Sequence, residues 1–508
     1  MRNLRRLVER AGRYGIGVYL YMNEPRAAKA EFFEKSPERM EMRGARGADG
    51  YYSLCTSNPA VRKWLGDSLA YLFREVPNLG GVFTITASEN QTNCVSHGQQ
   101  ATCPRCAQCS DAEILAEVNA TIEEGVHRSA PNAKVLVWDW GWRGHGMATD
   151  IIEKLPKNVY LMSVSEWALP ICRGGVESAI NEYSISAVGP GPRALAHWKA
   201  AQAAGLKTAA KVQLGTTWEI GSVPYVPALG LVAQHCRNLA ETNVNALMSS
   251  WSLGGYPSPN LSLPKYFQRE EGKPLPTVEE VLTRLATDRF GAEFAPEVVA
   301  AWNRLSEGFA EYPYHCGVNY SGPHHMGPAN PLYWNATGYA ASMVGIPYDD
   351  LNAWRCVYPE EVFVSQLRKV AGKFAEGVAM LKKTAERMPP EAKAACLQDC
   401  RYAEVVGLHY ASAANQAEFV QLRNRLQALN ANPEGGNSAE KAQIAARLQE
   451  LIAAEIQLAK REYALCQEDS AIGFESTNHY WFVPQDLVEK LMNCQYVAER
   501  VKEAVPER

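Results

Sequence analysis

Six acidic residues in the first half of the chain stand at or just past short apolar runs: Glu24, Glu89, Asp139, Glu166, Glu182 and Glu219. Carboxyl groups held this way suit acid–base work on a glycosidic bond. Such cleavage needs one carboxylic acid to protonate the leaving oxygen. It also needs a second group that acts as nucleophile, activates water, or supports a neighbouring group on the substrate. Glu89, in TASEN just beyond GGVFTIT, is the best single candidate for the acid. Asp139 lies between Trp138 and Trp140, where apolar surroundings could raise a carboxyl pKa. Glu219 follows Trp218 in TTWEIGSVPY, and Glu166 precedes Trp167. For each acid taken singly, a structural salt bridge or a helix N-cap is an equal alternative.

Other residues at the same strand ends could hold a sugar. Aromatic faces stack on the apolar faces of sugar rings, although core packing is the plainer role of any one tryptophan. The expected substrate-binding residues near the acids are Ser88, Asn90, Trp138, Trp140, Glu166 and Trp167. Farther along the chain they are Trp218, Tyr225, Trp251, Tyr256, His324 and His325, the last two alternatively packing under the turns of GPHHMGPANP. Arg143, with Arg26, Arg173 and Lys211, could receive a carboxylate or sulfate on the sugar. Ordinary ion-paired roles for these four are the stronger alternative. The run NHYWF at 478–482 offers either a polar rim or an interdomain plug.

A third group has metal-ligand spacing. Cys94, His97, Cys103, Cys106 and Cys109 fall in NCVSHGQQATCPRCAQCS, just after Glu89. CPRC has the C-x₂-C spacing of a zinc knuckle, and Cys94 or His97 could complete four tetrahedral ligands of a structural zinc. Free thiols and a disulfide are the alternatives. No cofactor is expected for catalysis.

The elements that must position these residues alternate. Strands are expected at 17–22, 81–86, 134–139, 159–164, 182–188, 208–214 and 246–251, with helices such as 61–75 and 193–204 between them. This is the βαβ rhythm of a parallel sheet, whose C-terminal strand ends gather the site. The first strand comes only after an amphipathic helix. The fold expected for residues 1–265 is therefore an α/β, (β/α)8-type (TIM-like) barrel that either lacks its first strands or closes in an unusual way. From 266 to 508 the spacing turns to the 3.6-residue period of an α-helical domain, at 278–287, 296–311, 359–387, 392–428 and 438–466. Two islands rich in Tyr, His, Asn and Trp interrupt it, at 312–335 and 469–484.

In order and spacing, GGVFTITASEN, KVLVWDWGW and ALMSSWSLGGYP resemble the β-N-acetylhexosaminidases of glycoside hydrolase family 20, over roughly the first 260 residues. The resemblance implies an exo-acting enzyme with Glu89 as general acid/base and Trp138, Trp218 and Trp251 around the terminal sugar. In that family an Asp precedes the Glu and orients the 2-acetamido group; Ser88 stands there instead. Either Asp139 or Glu219 then serves in its place, or two carboxylates work by another route, as in an α-glucuronidase-like enzyme. A non-catalytic carbohydrate-binding protein is the remaining reading.

Composition narrows the field. Of 508 residues, 46% are hydrophobic and 21% charged, with a net charge of −4 and no polybasic run, so nucleic acid and anionic membranes are poor partners. A glycan is the expected partner, and self-association is left open. No apolar stretch approaches a membrane span or a signal peptide. Thirteen unevenly spaced Cys suit a reducing compartment, which favours the cytoplasm. Neither a phosphate-cradling glycine loop nor a GxSxG elbow occurs.

Overall fold

The structure is a computed structural model that describes residues 1–23, 25–340, 345–431, 438–477 and 479–505, apart from the side chain of Arg143. The chain forms two compact units. One comprises Met1–Ser165, Pro192–Lys211 and Asn243–Leu247; the other comprises Glu166–Gly191, Val212–Thr242 and Met248–Arg508.

The first unit is organised by a sheet of β1 (Tyr19–Met22), β2 (Gly81–Thr84), β3 (Lys134–Trp138), β4 (Val159–Val164), β5 (Lys207–Lys211) and β6 (Ala246–Met248). The strands lie side by side in chain order. From β1 to β5 every neighbour is parallel, in registers that start Tyr19↔Gly81, Gly81↔Lys134, Val135↔Val159 and Lys207↔Tyr160. A strand order that never reverses means winding in one direction, as in a (β/α) barrel and unlike a doubly wound sheet. Six strands make this sheet among the described residues, and closure into eight is not seen.

Helices Pro59–Glu75 and Asp111–His127 return the chain between β1, β2 and β3. Their starts are written in the sequence. Asn58 accepts the Ala60 N–H at 2.8 Å ahead of Pro59, and Ser110 with Glu113 closes a capping box. Leu65, Leu69 and Phe73 from one helix and Leu115, Val118 and Ile122 from the other pack with Val82, Val135, Val137 and Leu161 of the sheet. Between β1 and the first of these helices sits a small antiparallel sheet of Ala28–Lys29, Tyr51–Leu54 and Arg43–Arg46, in that order.

The second unit is mainly helical, as the 3.6-residue period predicts. Its long helices are Val278–Phe290, Ala295–Phe309, Glu360–Ala385, Pro390–Ala431, Ser438–Glu468 and Pro484–Ala504. They also enclose a polar cluster. Lys490 Nζ donates to Glu455 at 2.8 Å with both side chains fully buried, and Ser412 and Asn415 donate to the same carboxylate at 2.7 and 3.0 Å. No described helix is long and apolar enough to cross a membrane.

One expected strand is absent. Residues 182–188 form an irregular loop, while an antiparallel hairpin, Leu169–Arg173 with Val176–Ile180, precedes it. Period-2 alternation in EYSISAV signals an extended chain. Its backbone N–H groups, however, are spent on a carboxylate instead of a neighbouring strand.

Candidate active site

In the first unit the site begins where β2 runs out. Ala87 takes a left-handed φ of +58°, uncommon for a residue with a Cβ. Its N–H is held by Thr92 Oγ1 at 2.9 Å, which turns the chain so that Ser88 is buried and Glu89 exposed. Strained backbone of this kind clusters at functional sites. The Glu89 carboxylate is oriented by two donors: Trp140 Nε1 donates to Oε1 at 2.7 Å, and the Ser88 hydroxyl donates to Oε2. His97, itself exposed, sets Nε2 3.0 Å from the carbonyl oxygens of both Ser88 and Glu89. Asn90 is half-buried beside them in sequence.

Trp140 reaches Glu89 because the turn after β3 packs tightly on the end of β2. Trp142 Nε1 donates to Thr86 Oγ1 at 3.3 Å. A Cβ on Gly141 would come within 2.2 Å of the Thr86 carbonyl oxygen, so only glycine fits between the two turns. Trp138, expected beside the acid, is buried and packs on Trp140 at 5.6 Å between ring centroids. The half-buried Trp140 is the residue that meets Glu89.

Asp139 has a different setting from the one expected of a catalytic group. It is fully buried, and Oδ2 accepts from Ser163 Oγ at 2.6 Å and from His197 Nδ1 at 2.5 Å. His197 Nε2 donates to the Met147 carbonyl at 2.7 Å. The pair ties the ends of β3 and β4 to helix Pro192–Ala203, and thereby fixes the turn that carries Trp140. Neither Ser163 nor His197 was evident beforehand; each carries its own element's periodicity, and only the fold brings them together.

In the second unit Glu219 is likewise fully enclosed. Ser184 Oγ donates to Oε1 at 2.6 Å, and the Ile185 N–H and Thr217 Oγ1 donate to Oε2 at 2.7 and 2.8 Å. The Ser186 N–H bridges both oxygens at 3.2 and 3.3 Å. Burial raises the Glu219 pKa, and these donors oppose the rise. With both oxygens engaged and no exposed face, Glu219 anchors the 184–186 loop. Glu166 is also buried, with His235 Nδ1 3.6 Å from it, and Trp167 beside it is buried.

The two aromatic islands meet around Trp218. Tyr320 lies 5.0 Å from it and Trp481 5.9 Å, edge-on. Tyr320 donates its hydroxyl to Glu182. His325 stacks on Trp481 at 4.4 Å; its Nδ1 accepts the Gly221 N–H at 3.0 Å, and Nε2 donates to Asn319 O at 2.8 Å. Both ring nitrogens are therefore committed to backbone, which leaves His325 none for a sugar hydroxyl. His324 is buried and stacked on Tyr410 at 6.0 Å. Tyr225 is also withdrawn: its hydroxyl donates to buried Asp399, which Arg289 pairs at 2.9 Å. Trp251 and Tyr256 are half-buried. Tyr320 and Trp481 were not singled out individually, although the density of aromatic residues in both islands was their signal.

Burial holds the imidazoles of His235 and His325 down to about 4 from an ordinary 6.5. A histidine that stays neutral when folded loses ground to the unfolded chain on acidification, because only the unfolded chain takes up the proton. The contribution of these two side chains to stability should therefore fall as pH drops from about 6.5 towards 4, and level off below. Thermal unfolding followed across this window checks it; a midpoint that holds steady from pH 6.5 to 4 would count against the neutral assignment.

Of the basic residues, Arg26 is exposed. Arg173 donates to the carbonyls of Cys172 and Ser186 at 3.3 and 3.1 Å, and Lys211 is buried in β5. The side chain of Arg143, together with Glu24 and Asn478, lies outside the described residues. The metal-ligand set also differs from expectation. Cys55, Cys94, Cys103 and Cys106 are buried together, whereas His97 faces the Glu89 backbone and Cys109 Sγ points to the Arg105 carbonyl at 3.6 Å. Cys55 was missed because it lies 39 residues before Cys94, outside any short motif.

No protein-family profile matches the chain, and no curated protein matches it. Among solved structures, a GH138 enzyme targeting pectin rhamnogalacturonan II matches with a TM-score of 0.50 at 13% identity, over 88% of this chain and 65% of that one. A family 89 glycoside hydrolase from Clostridium perfringens in complex with PUGNAc gives 0.49 at 11% identity, over 99% of this chain and 53% of that one. A doubly substituted form of the Clostridium perfringens family 89 enzyme, in complex with its substrate GlcNAc-alpha-1,4-galactose, gives 0.49 at 10% identity, over the same shares. The chain thus spans somewhat under two thirds of the GH138 enzyme and about half of the family 89 enzyme. The likeness to the GH138 enzyme is one of fold, and the resemblance to family 20 in particular gains no support.

Proposed function

We propose that this chain carries the catalytic machinery of an exo-acting glycoside hydrolase, with Glu89 as the general acid and a terminal N-acetylhexosamine as the sugar released. One observation carries the reading. Of the five described strand-end acids, Asp139, Glu166, Glu182 and Glu219 are buried, and Glu89 alone is exposed. It is exposed yet aimed, because the Trp140 indole and the Ser88 hydroxyl hold both of its oxygens. An acid so placed can deliver a proton to a leaving oxygen, and the indole beside it suits the apolar face of a sugar ring. The fold shared with the GH138 enzyme supports the same class. We read this sheet as part of a (β/α)8-type barrel.

A second reading within this class has its own support. Ser88, which stands where family 20 has its acetamide-orienting Asp, has its hydroxyl turned onto Glu89. A hydroxyl used in this way is not at hand for an acetamide, which favours two carboxylates over substrate assistance. Exposed Arg26 keeps an anionic terminal sugar, sulfated or uronic, within the proposal. A panel of nitrophenyl glycosides, with and without the 2-acetamido group, tests both readings alongside a thiazoline made from N-acetylglucosamine. Turnover with tight thiazoline binding supports substrate assistance, and turnover with weak binding supports two carboxylates. No turnover on any glycoside, together with measurable sugar binding, would overturn the enzyme in favour of a carbohydrate-binding protein.

A further inference from the structure

We infer that Cys55, Cys94, Cys103 and Cys106 form a structural zinc site that pins the loop following Glu89 to the small antiparallel sheet. All four sulfurs lie within 4.8 Å of one another and all four residues are buried. Thiolates about 2.3 Å from one ion at tetrahedral corners stand about 3.8 Å apart. Cys55 Sγ lies 3.6 Å from that of Cys106 and 3.7 Å from that of Cys103. One mononuclear ion fits this spacing. The separations are also well beyond a disulfide bond of about 2.05 Å, and every one of these cysteines is free.

The surroundings are those of a thiolate cluster. The Ala45 N–H points at Cys94 Sγ from 3.4 Å, and the Ser57 hydroxyl lies 3.5 Å from Cys106 Sγ. Donors of this kind hold metal-bound sulfur in place from the next shell outward. The approach at Cys94 is so close that a Cβ on Gly44 would stand 2.5 Å from its sulfur. Four soft sulfur ligands with no open position select zinc in a structural role. Binding replaces four S–H protons with one dication and completes no redox step.

The ligands come from two stretches of chain far apart in sequence. Cys55 follows the strand Tyr51–Leu54, Cys94 comes five residues after Glu89, and Cys103 and Cys106 close the loop. His97, which faces the Glu89 carbonyl, sits between ligands two and three. Metal loss would therefore free the backbone that presents the acid.

The test is elemental analysis of the full chain, purified without a histidine tag and dialysed against metal-free buffer. Zinc at one equivalent is expected, released as a mercurial takes up four thiols beyond the accessible ones such as Cys172. Cys55→Ser and Cys103→Ser should lose it, while His97→Ala and Cys109→Ser keep it. Should the ligand variants fail to fold, cobalt substitution of the wild-type chain and of Cys109→Ser decides: both should give the same tetrahedral tetrathiolate absorption. Zinc below a tenth of an equivalent after growth in zinc, its loss from His97→Ala, or iron in its place would each overturn the site.

Discussion

Glu89→Gln should slow the turnover of glycosides with poor leaving groups while leaving the fold and sugar binding intact. Glutamine keeps the shape and can still accept from Trp140, but it has no proton to give the leaving oxygen. General acid catalysis by a positioned side chain is worth roughly 10²–10⁴ in rate. The loss should be largest for poor leaving groups and shrink for dinitrophenyl glycosides, which depart without protonation. A measured kcat/KM ratio that stays flat across leaving groups would remove Glu89 from the role of acid, even if the variant were slow. Because the side chain is exposed, its replacement should barely move the unfolding midpoint.

Asp139 should behave the opposite way, with its cost paid in stability. Asp139→Ala leaves His197 facing an empty, dry space at Nδ1 while Nε2 stays bound to the Met147 carbonyl. Breaking a fully buried pair by removing one partner costs roughly 3–5 kcal/mol. In a unit of this size that lowers its melting midpoint by about 10 °C. Asp139→Asn should cost far less. With the amide nitrogen in the place of Oδ2, one N–H can donate to Nδ1 of a neutral imidazole and the other to the Ser163 hydroxyl, which turns to accept. Calorimetry on the two variants decides: an alanine no worse than the asparagine would show that the pair holds nothing together.

Much of the first unit could be read before its coordinates were known. The strand at Val159–Val164 and the helix expected at 61–75 follow from local rules, namely apolar runs and their period. Placing Glu89 beyond GGVFTIT needed no more than that. What could not be read was which acids are covered. Asp139, Glu166, Glu182 and Glu219 share with Glu89 a place after an apolar run, and they differ only in what closes over them. For Asp139 the cover is a histidine 58 positions away in sequence. For Glu219 it is a loop that alternates like a strand. Local pattern finds strand ends; it does not find partners supplied by another element. The Cys set was half-legible for the same reason, since CPRC is a local motif and Cys55 is not.

The grip of Glu219 on residues 184–186 has a consequence for how this chain can change. A loop in a ladder keeps its shape through neighbours on either side, and shifting one register disturbs them all. Here three successive residues hang from a single inward-facing anion, so the stretch holds a fixed contour without any sheet beside it. Residues 182 to 187 are all buried, so a lineage that lost this one glutamate would have to repack the whole stretch.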